Sequence, residues 1–171
     1  PGKLMLLGEH AVVYGRPCIV TAVGQRMKTT VELTNEPVFQ LNAPDVQVTD
    51  YKKPMEKLGN GDIPKGAKFV EMAIKNFMDN VILASDKGAR PGSNKDSGQA
   101  RMTHSNMGVK VITQSEFSSQ FGFGSSSAST VCVVKALSEL TGAKLNNKQS
   151  LRSNDLKAVF DLAYKTVLDI Q

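Results

Sequence analysis

The chain has 171 residues, 40% of them hydrophobic and 22% charged, which fits one folded domain and excludes wholesale disorder. Lys and Arg outnumber Asp and Glu by 21 to 16, for a formal charge of +5. That excess favours phosphate-bearing partners in general, and without a run of five like charges it gives no basic nucleic-acid tail. Aromatics are 6% with no Trp, so the core must be aliphatic. Cys18 and Cys132 lie in apolar stretches without metal spacing, which predicts buried reduced thiols and a cytoplasmic setting. No stretch approaches the ~18 apolar residues of a membrane span.

In chain order, Lys3–Leu7 is an apolar run before Gly8 and predicts a buried strand. Residues 8–17 carry glycines and a proline and predict a turn. Residues 18–23 predict a second strand. Alternation over residues 28–33, 38–41 and 46–49 adds short strands with tight connections. Residues 50–65, with Pro54, Gly59, Gly61 and Pro64, predict a loop. From Lys65 to Leu83 the apolar period becomes helical, through Phe69, Val70, Ala73, Ile74, Phe77 and Met78. Residues 84–106 are polar and Gly/Ser/Asn-rich, which predicts a long mobile loop. A strand at 109–112, a Gly/Ser turn at 122–127 and a helix from Ala128 to Leu140 follow. Leu156, Val159, Phe160, Ala163, Val167 and Ile170 mark a last helix. This order predicts an α+β fold rather than strict βαβ alternation.

Two segments carry chemistry. Gly122-Phe123-Gly124-Ser125-Ser126-Ser127 follows a strand and opens a helix. Glycines let backbone approach a ligand, and the first helical turn has free amides and the positive end of the dipole. Serine hydroxyls can bind phosphate oxygens or Mg2+. Taken alone, the same residues read equally as a glycine turn with a serine cap. Lys3 could present its ammonium to a phosphate, or simply snorkel at the surface. Glu9 and His10 sit between two apolar runs, and His10 could donate a hydrogen bond to a substrate. His104 lies in a polar stretch and reads as exposed.

The run from Pro1 to Gly15, with Gly8-Glu9-His10-Ala11-Val12-Val13-Tyr14-Gly15, resembles the first motif of the GHMP kinase superfamily in its mevalonate branch. Residues 122–128 resemble that superfamily's phosphate-binding Gly-Leu-Gly-Ser-Ser-Ala-Ala loop, and Ser115-Glu116-Phe117 resembles the lead-in to it. The two motifs fall in the right order; about two-thirds of the chain carries no such match. The resemblance implies an N-terminal GHMP kinase domain, ribosomal protein S5 domain 2-like, with a mixed sheet packed by helices. It implies ATP-dependent phosphorylation of a small alcohol, mevalonate to 5-phosphomevalonate in isoprenoid precursor synthesis, with ATP and Mg2+ as cofactors. It also implies roles. Gly122 to Ser127 would wrap the triphosphate, Ser115 would contact nucleotide and Ser126 would ligate Mg2+. Lys3 would sit at the transferred phosphoryl as the catalytic residue, and Lys3, Glu9 and His10 would bind substrate.

Some residues depart from the pattern. Phe123 replaces Leu, Ser127 replaces Ala, and Ser118 stands where proline is common. Ala163 to Gln171 resembles the helix leading into the family's Gly-x-x-Ser-Gly-x-Asp segment, which carries the catalytic aspartate. The resemblance therefore implies a domain over 1–171 truncated at both ends, without the C-terminal domain and inactive by itself. Val167 stands where the family's Mg2+-binding glutamate is usual, and Asp169 lies about 200° away around a helix. Other readings remain: a phosphomevalonate kinase or mevalonate 3-kinase-like member, a non-catalytic ATP- or metabolite-binding domain, and an RNA-binding module of the same fold. The expected partners are a small alcohol and ATP, with no nucleic acid or membrane; a homodimer is left open.

Overall fold

The computed structural model describes residues 1–86, 107–141 and 156–170. A four-stranded mixed sheet and three helices hold the core. Its strands are β3 (Met27–Thr34), β4 (Val38–Ala43), β5 (Val48–Pro54) and β6 (Gly108–Ser115), in the spatial order β3-β6-β4-β5. β6 runs antiparallel to β3 and parallel to β4, so the sheet is mixed. Helices α2 (Lys68–Asp86), α3 (Ser125–Thr141) and α4 (Leu156–Ile170) pack on one face.

Period-two alternation selects that face. Val31, Val111, Leu41 and Tyr51 lie side by side in register, as do Leu33, Val109 and Phe39. Phe39, Leu41, Val109 and Val111 are fully buried against Ile74 and Phe77 of α2, with Val133 and Leu137 of α3 in the same core. Burying each such side chain is worth about 1.5–3 kcal/mol. Lys53 follows the same alternation inward at the edge of the sheet. Glu71 of α2 meets it at 2.7 Å and also accepts from the Tyr51 hydroxyl and the Gly59 amide, both at 2.8 Å. A fully buried carboxylate is thereby given three donors.

The other face of the sheet is polar. Its lysines are matched by acids in ion pairs: Lys28 with Glu116, Lys52 with Asp50, and Lys110 with Glu32.

β1 (Lys3–Leu7) and β2 (Ile19–Ala22) form a separate antiparallel ribbon, with the short helix α1 (Glu9–Val13) between them. Four expectations are corrected here. β1 is not the buried strand expected: its Leu6 and Leu7 are exposed, as are Ile19 and Val20 of its partner β2, because the ribbon pairs with no strand of the main sheet. Residues 8–17 are not only a turn, since Gly8, at φ +90, redirects the chain into α1. Residues 50–54 are strand rather than loop, because β4 continues opposite them to Val38. The helix placed at Ala128 starts three residues earlier, at Ser125. Most of the loop expected at 84–106, His104 included, lies outside the described residues, although residues 84–86 close α2.

Cys18 and Cys132 are both reduced and half-buried. Burial raises the Cys132 thiol above its usual pKa. Among the described residues no helix is long and apolar enough to cross a membrane.

Candidate nucleotide site

The two sequence motifs meet at the head of α3. β6 ends at Ser115, the chain turns through residues 116–124, and α3 begins at Ser125. Ser118 caps a single 3-10 turn, Ser119–Phe121, by accepting from the Gln120 amide at 3.2 Å. Gly122, at φ +68, ends that turn, and Gly124, at φ +75, delivers the chain into α3. Both angles lie where L side chains are strained, which is the local reason for glycine. The first bond of α3 runs from the Ala128 amide to the Gly124 carbonyl at 2.9 Å. The amides of Ser125, Ser126 and Ser127 then have no intrahelical acceptor, and no acidic residue stands in that first turn to claim the dipole. Ser125 and Ser126 are half-buried and Ser127 is exposed. The Ser126 carbonyl accepts from Ser129 and Thr130, which pins the serine backbone, and among the described residues no hydrogen bond engages its hydroxyl.

Lys3 is fastened to this turn. Its backbone amide donates to the Phe123 carbonyl at 2.8 Å. Its side chain passes over Gly124 so closely that a β-carbon there would lie 2.9 Å from Lys3 Cγ and 3.3 Å from Cε. Gly2 is equally confined, its missing β-carbon 3.0 Å from Val23 Cγ2 and 3.2 Å from both Phe117 Cε1 and the Phe123 carbonyl. Backbone bonds from Gly2 to Gln25 and from Val23 to Gly2 complete the joint. Phe117 and Phe123 pack edge to face at 6.1 Å, and Phe121 and Phe123 at 6.2 Å, so Phe123 is the middle ring of a three-ring brace.

Around the lead-in, Ser115 closes its own turn, its hydroxyl donating to the Phe117 carbonyl at 2.6 Å and accepting from the Phe117 amide at 3.2 Å. The Ser115 amide donates to Asp45. Glu116 accepts from the Arg26 amide, and that bond, with Lys28 alongside, holds its carboxyl below its usual pKa. Glu9 and His10 are exposed on α1. Among the described residues no hydrogen bond or ion pair engages the side chain of Lys3, Glu9 or His10. The structure thus brings Lys3 together with Gly122 to Ser127, and it records no bond between Glu9 or His10 and that group.

Sequence reasoning passed over Gly2 and Asp45. Gly2 had a signal, a glycine directly before the chemistry-bearing lysine; Asp45 had none, since it reaches Ser115 across 70 residues. At the far end of α4, Val167 is half-buried, and Asp169 is committed elsewhere, accepting from Lys165 at 2.6 Å and Asn76 at 3.0 Å. The Lys165 bond, then that of Asn76, holds the Asp169 carboxyl below its ordinary value. Among the described residues no group of three His, Cys, Asp or Glu could hold a metal. Of the residues at this turn, the Ser126 hydroxyl is an oxygen donor of the kind Mg2+ takes beside phosphate oxygens.

A family model for the GHMP kinases N terminal domain matches residues 95–162. The fold is that of the GHMP kinases: a solved mevalonate kinase from Methanococcus jannaschii superposes with a TM-score of 0.69 over 100% of this chain and 45% of its own, at 24% identity. Lactococcus lactis galactokinase superposes at 0.61 over 99% of this chain and 36% of its own, at 15% identity. These findings bear out the resemblance of the chain to the GHMP kinase superfamily. Within it the chain resembles the mevalonate kinases: that of Pyrococcus furiosus is 29% identical over 152 residues, 87% of this chain and 40% of that protein. The chain thus spans about 40% of the length of the curated relative it matches.

Proposed function

We propose that residues 1–171 form the nucleotide-binding domain of an ATP-dependent kinase for a small alcohol, with mevalonate as the acceptor and 5-phosphomevalonate as the product. The observation that carries this reading is the passage of Lys3 across Gly124 at the open N-terminus of α3. It places a cation beside a set of amides without intrahelical acceptors, which is the arrangement a polyphosphate needs.

In this reading the amides of Ser125, Ser126 and Ser127 bind the phosphates, and the glycines at 122 and 124 keep the approach free of side chains. Lys3 lies at the γ-phosphoryl and offsets charge as the substrate oxygen bonds to phosphorus and ADP departs. Ser126 would hold Mg2+, which supplies further charge neutralisation. Glu9 and His10, exposed and with no side-chain bond among the described residues, line the acceptor side, His10 as a donor to the acid or hydroxyl of mevalonate. Ser115 contacts nucleotide beside the loop. The activity belongs to the whole protein that contains these residues, a cytoplasmic enzyme of isoprenoid precursor synthesis.

The test is an assay of the intact protein for ATP consumption against mevalonate, phosphomevalonate and galactose. Turnover specific to mevalonate is expected. Turnover on phosphomevalonate alone would move the protein to that neighbouring activity. One observation favours a second reading, a non-catalytic ATP or metabolite sensor: Asp169, the acid nearest Val167, where the resemblance puts the metal-binding carboxylate, is tied to Asn76 of α2. Nucleotide binding without turnover on any of the three alcohols would select it.

A further inference from the structure

The turn that opens α3 holds one aromatic ring out in solvent. Phe117 is buried and Phe123 half-buried, whereas Phe121 is 69% exposed. The exposed ring is nonetheless fixed. Phe121 closes the 3-10 turn Ser119–Phe121, which Ser118 caps and Gly122 ends at φ +68. Its ring meets Phe123 at 6.2 Å with planes 62° apart, and Phe123 meets the buried Phe117 at 6.1 Å. A single exposed Phe is ordinary on a protein surface. One tied to the core through two further rings, four residues before Ser125, is preorganised for a contact, which lowers the ordering cost of making it.

The space over the two glycines of the turn gives that contact a direction. At Gly124 the Lys3 side chain fills the place of a β-carbon, with Cγ 2.9 Å away. At Gly122, its chain neighbours apart, nothing lies within 4 Å of the corresponding place. The turn is therefore roofed by lysine on its α3 side and open on its Phe121 side. A polyphosphate held by the Ser125, Ser126 and Ser127 amides, with its end under Lys3, has its free path across Gly122. The four residues from Phe121 to Ser125 span at most about 14 Å, within the reach of one nucleotide from phosphate to base. The ring of Phe121 stands at the end of that path.

We propose that Phe121 is the platform on which the nucleobase stacks, a purine laid against the ring while the phosphates occupy the head of α3. The inference rests on the nucleotide reading above and adds to it the residue that holds the base. Every base has a π-face, so an aromatic side chain binds it without a hydrogen bond to its edge. Phe121 thus contributes affinity for a nucleotide over a bare phosphate chain. Phosphoryl transfer, at the Lys3 end, does not depend on it.

Isothermal titration of the intact protein with ATP and with inorganic tripolyphosphate, each with Mg2+, tests this. Wild type is expected to bind ATP the more tightly. Phe121→Ala should weaken ATP at least about fivefold and leave tripolyphosphate within about twofold. Its melting temperature should be preserved, because the ring is exposed. Phe121→Trp should hold ATP at least as tightly as wild type. Phe121→Leu, which keeps apolar volume without a π-face, should bind it more weakly. Unchanged ATP affinity in Phe121→Ala overturns the proposal and means that something other than the base meets the ring. Equal weakening of ATP and tripolyphosphate also overturns it, and makes Phe121 a residue that shapes the phosphate turn. Leucine as good as phenylalanine overturns stacking as the contact. A wild type that binds neither ligand overturns the nucleotide reading itself, and the inference with it.

Discussion

The Lys3 side chain fills the space a β-carbon on residue 124 would need: such an atom would lie 2.9 Å from Lys3 Cγ. Across 121 residues of sequence, the first strand is thus shaped against the turn that opens α3. The 2.8 Å bond from the Lys3 amide to the Phe123 carbonyl holds the register of that contact.

Gly124→Ala should therefore be costly twice over. The methyl displaces the Lys3 side chain, and the backbone at φ +75 strains any L residue by about 1–3 kcal/mol. We expect ATP affinity of the intact protein to fall at least about tenfold, with a modest loss of melting temperature. Isothermal titration beside a thermal melt separates the two; unchanged ATP affinity would refute the role of this crossing.

Phe123→Leu should be mild. It keeps apolar volume under the loop but removes the middle ring of the Phe117, Phe123 and Phe121 brace. Such a swap typically costs below about 1.5 kcal/mol. The expected outcome is a melting temperature lowered by a few degrees with nucleotide binding retained, read in the same pair of measurements.

Glu71→Gln should be the most destabilising substitution among these. Glu71 is fully buried and answers the ammonium of Lys53 on the inward face of β5. Removing the carboxylate charge leaves that ammonium nearly buried and uncompensated, at a cost of about 3–5 kcal/mol. Denaturant unfolding would measure it. A double variant, Lys53→Met with Glu71→Leu, should recover most of the loss, because breaking one half of a buried pair costs more than replacing both halves.

The same cluster sets a pH limit. Burial, then the bond and charge of Glu71, raise the Tyr51 hydroxyl above its usual pKa. For Lys53, burial acts to lower the value, but the bond and charge of Glu71 outweigh it and the net shift is upward. A raised folded value means stability that is complete below the unfolded pKa and lost as pH rises through the folded one. Stability should therefore decline above about pH 10, where both groups ordinarily titrate. In Tyr51→Phe the alkaline decline should be shallower, as denaturation midpoints against pH would record.

Much of the fold was legible because it follows from period. Alternation at Phe39 and Leu41 and the helical spacing of Val70, Ala73, Ile74 and Phe77 are local signals, and all six are core. The turn at Gly122 to Gly124 was legible because turn chemistry is local too, although the helix it opens begins at Ser125. The exposed placement of β1 and β2 was not, since an apolar run looks the same in a buried sheet and in a separate ribbon. Nor was the outward face of Phe160, which the helical pattern assigned to the same stripe as Val159. The confinement of Gly2 and the Asp45–Ser115 bond depend on contacts across 115 and 70 residues, which no spacing announces.

The central claim is that Lys3 acts on the phosphoryl group held at the head of α3. The most direct test is transfer of labelled γ-phosphate from ATP to mevalonate by the intact protein and by its Lys3→Met variant, with ATP affinity measured in parallel. The account predicts turnover reduced at least about 100-fold in the variant with ATP affinity changed far less, the pattern of a group used mainly in the transition state. Turnover undiminished in Lys3→Met would contradict it.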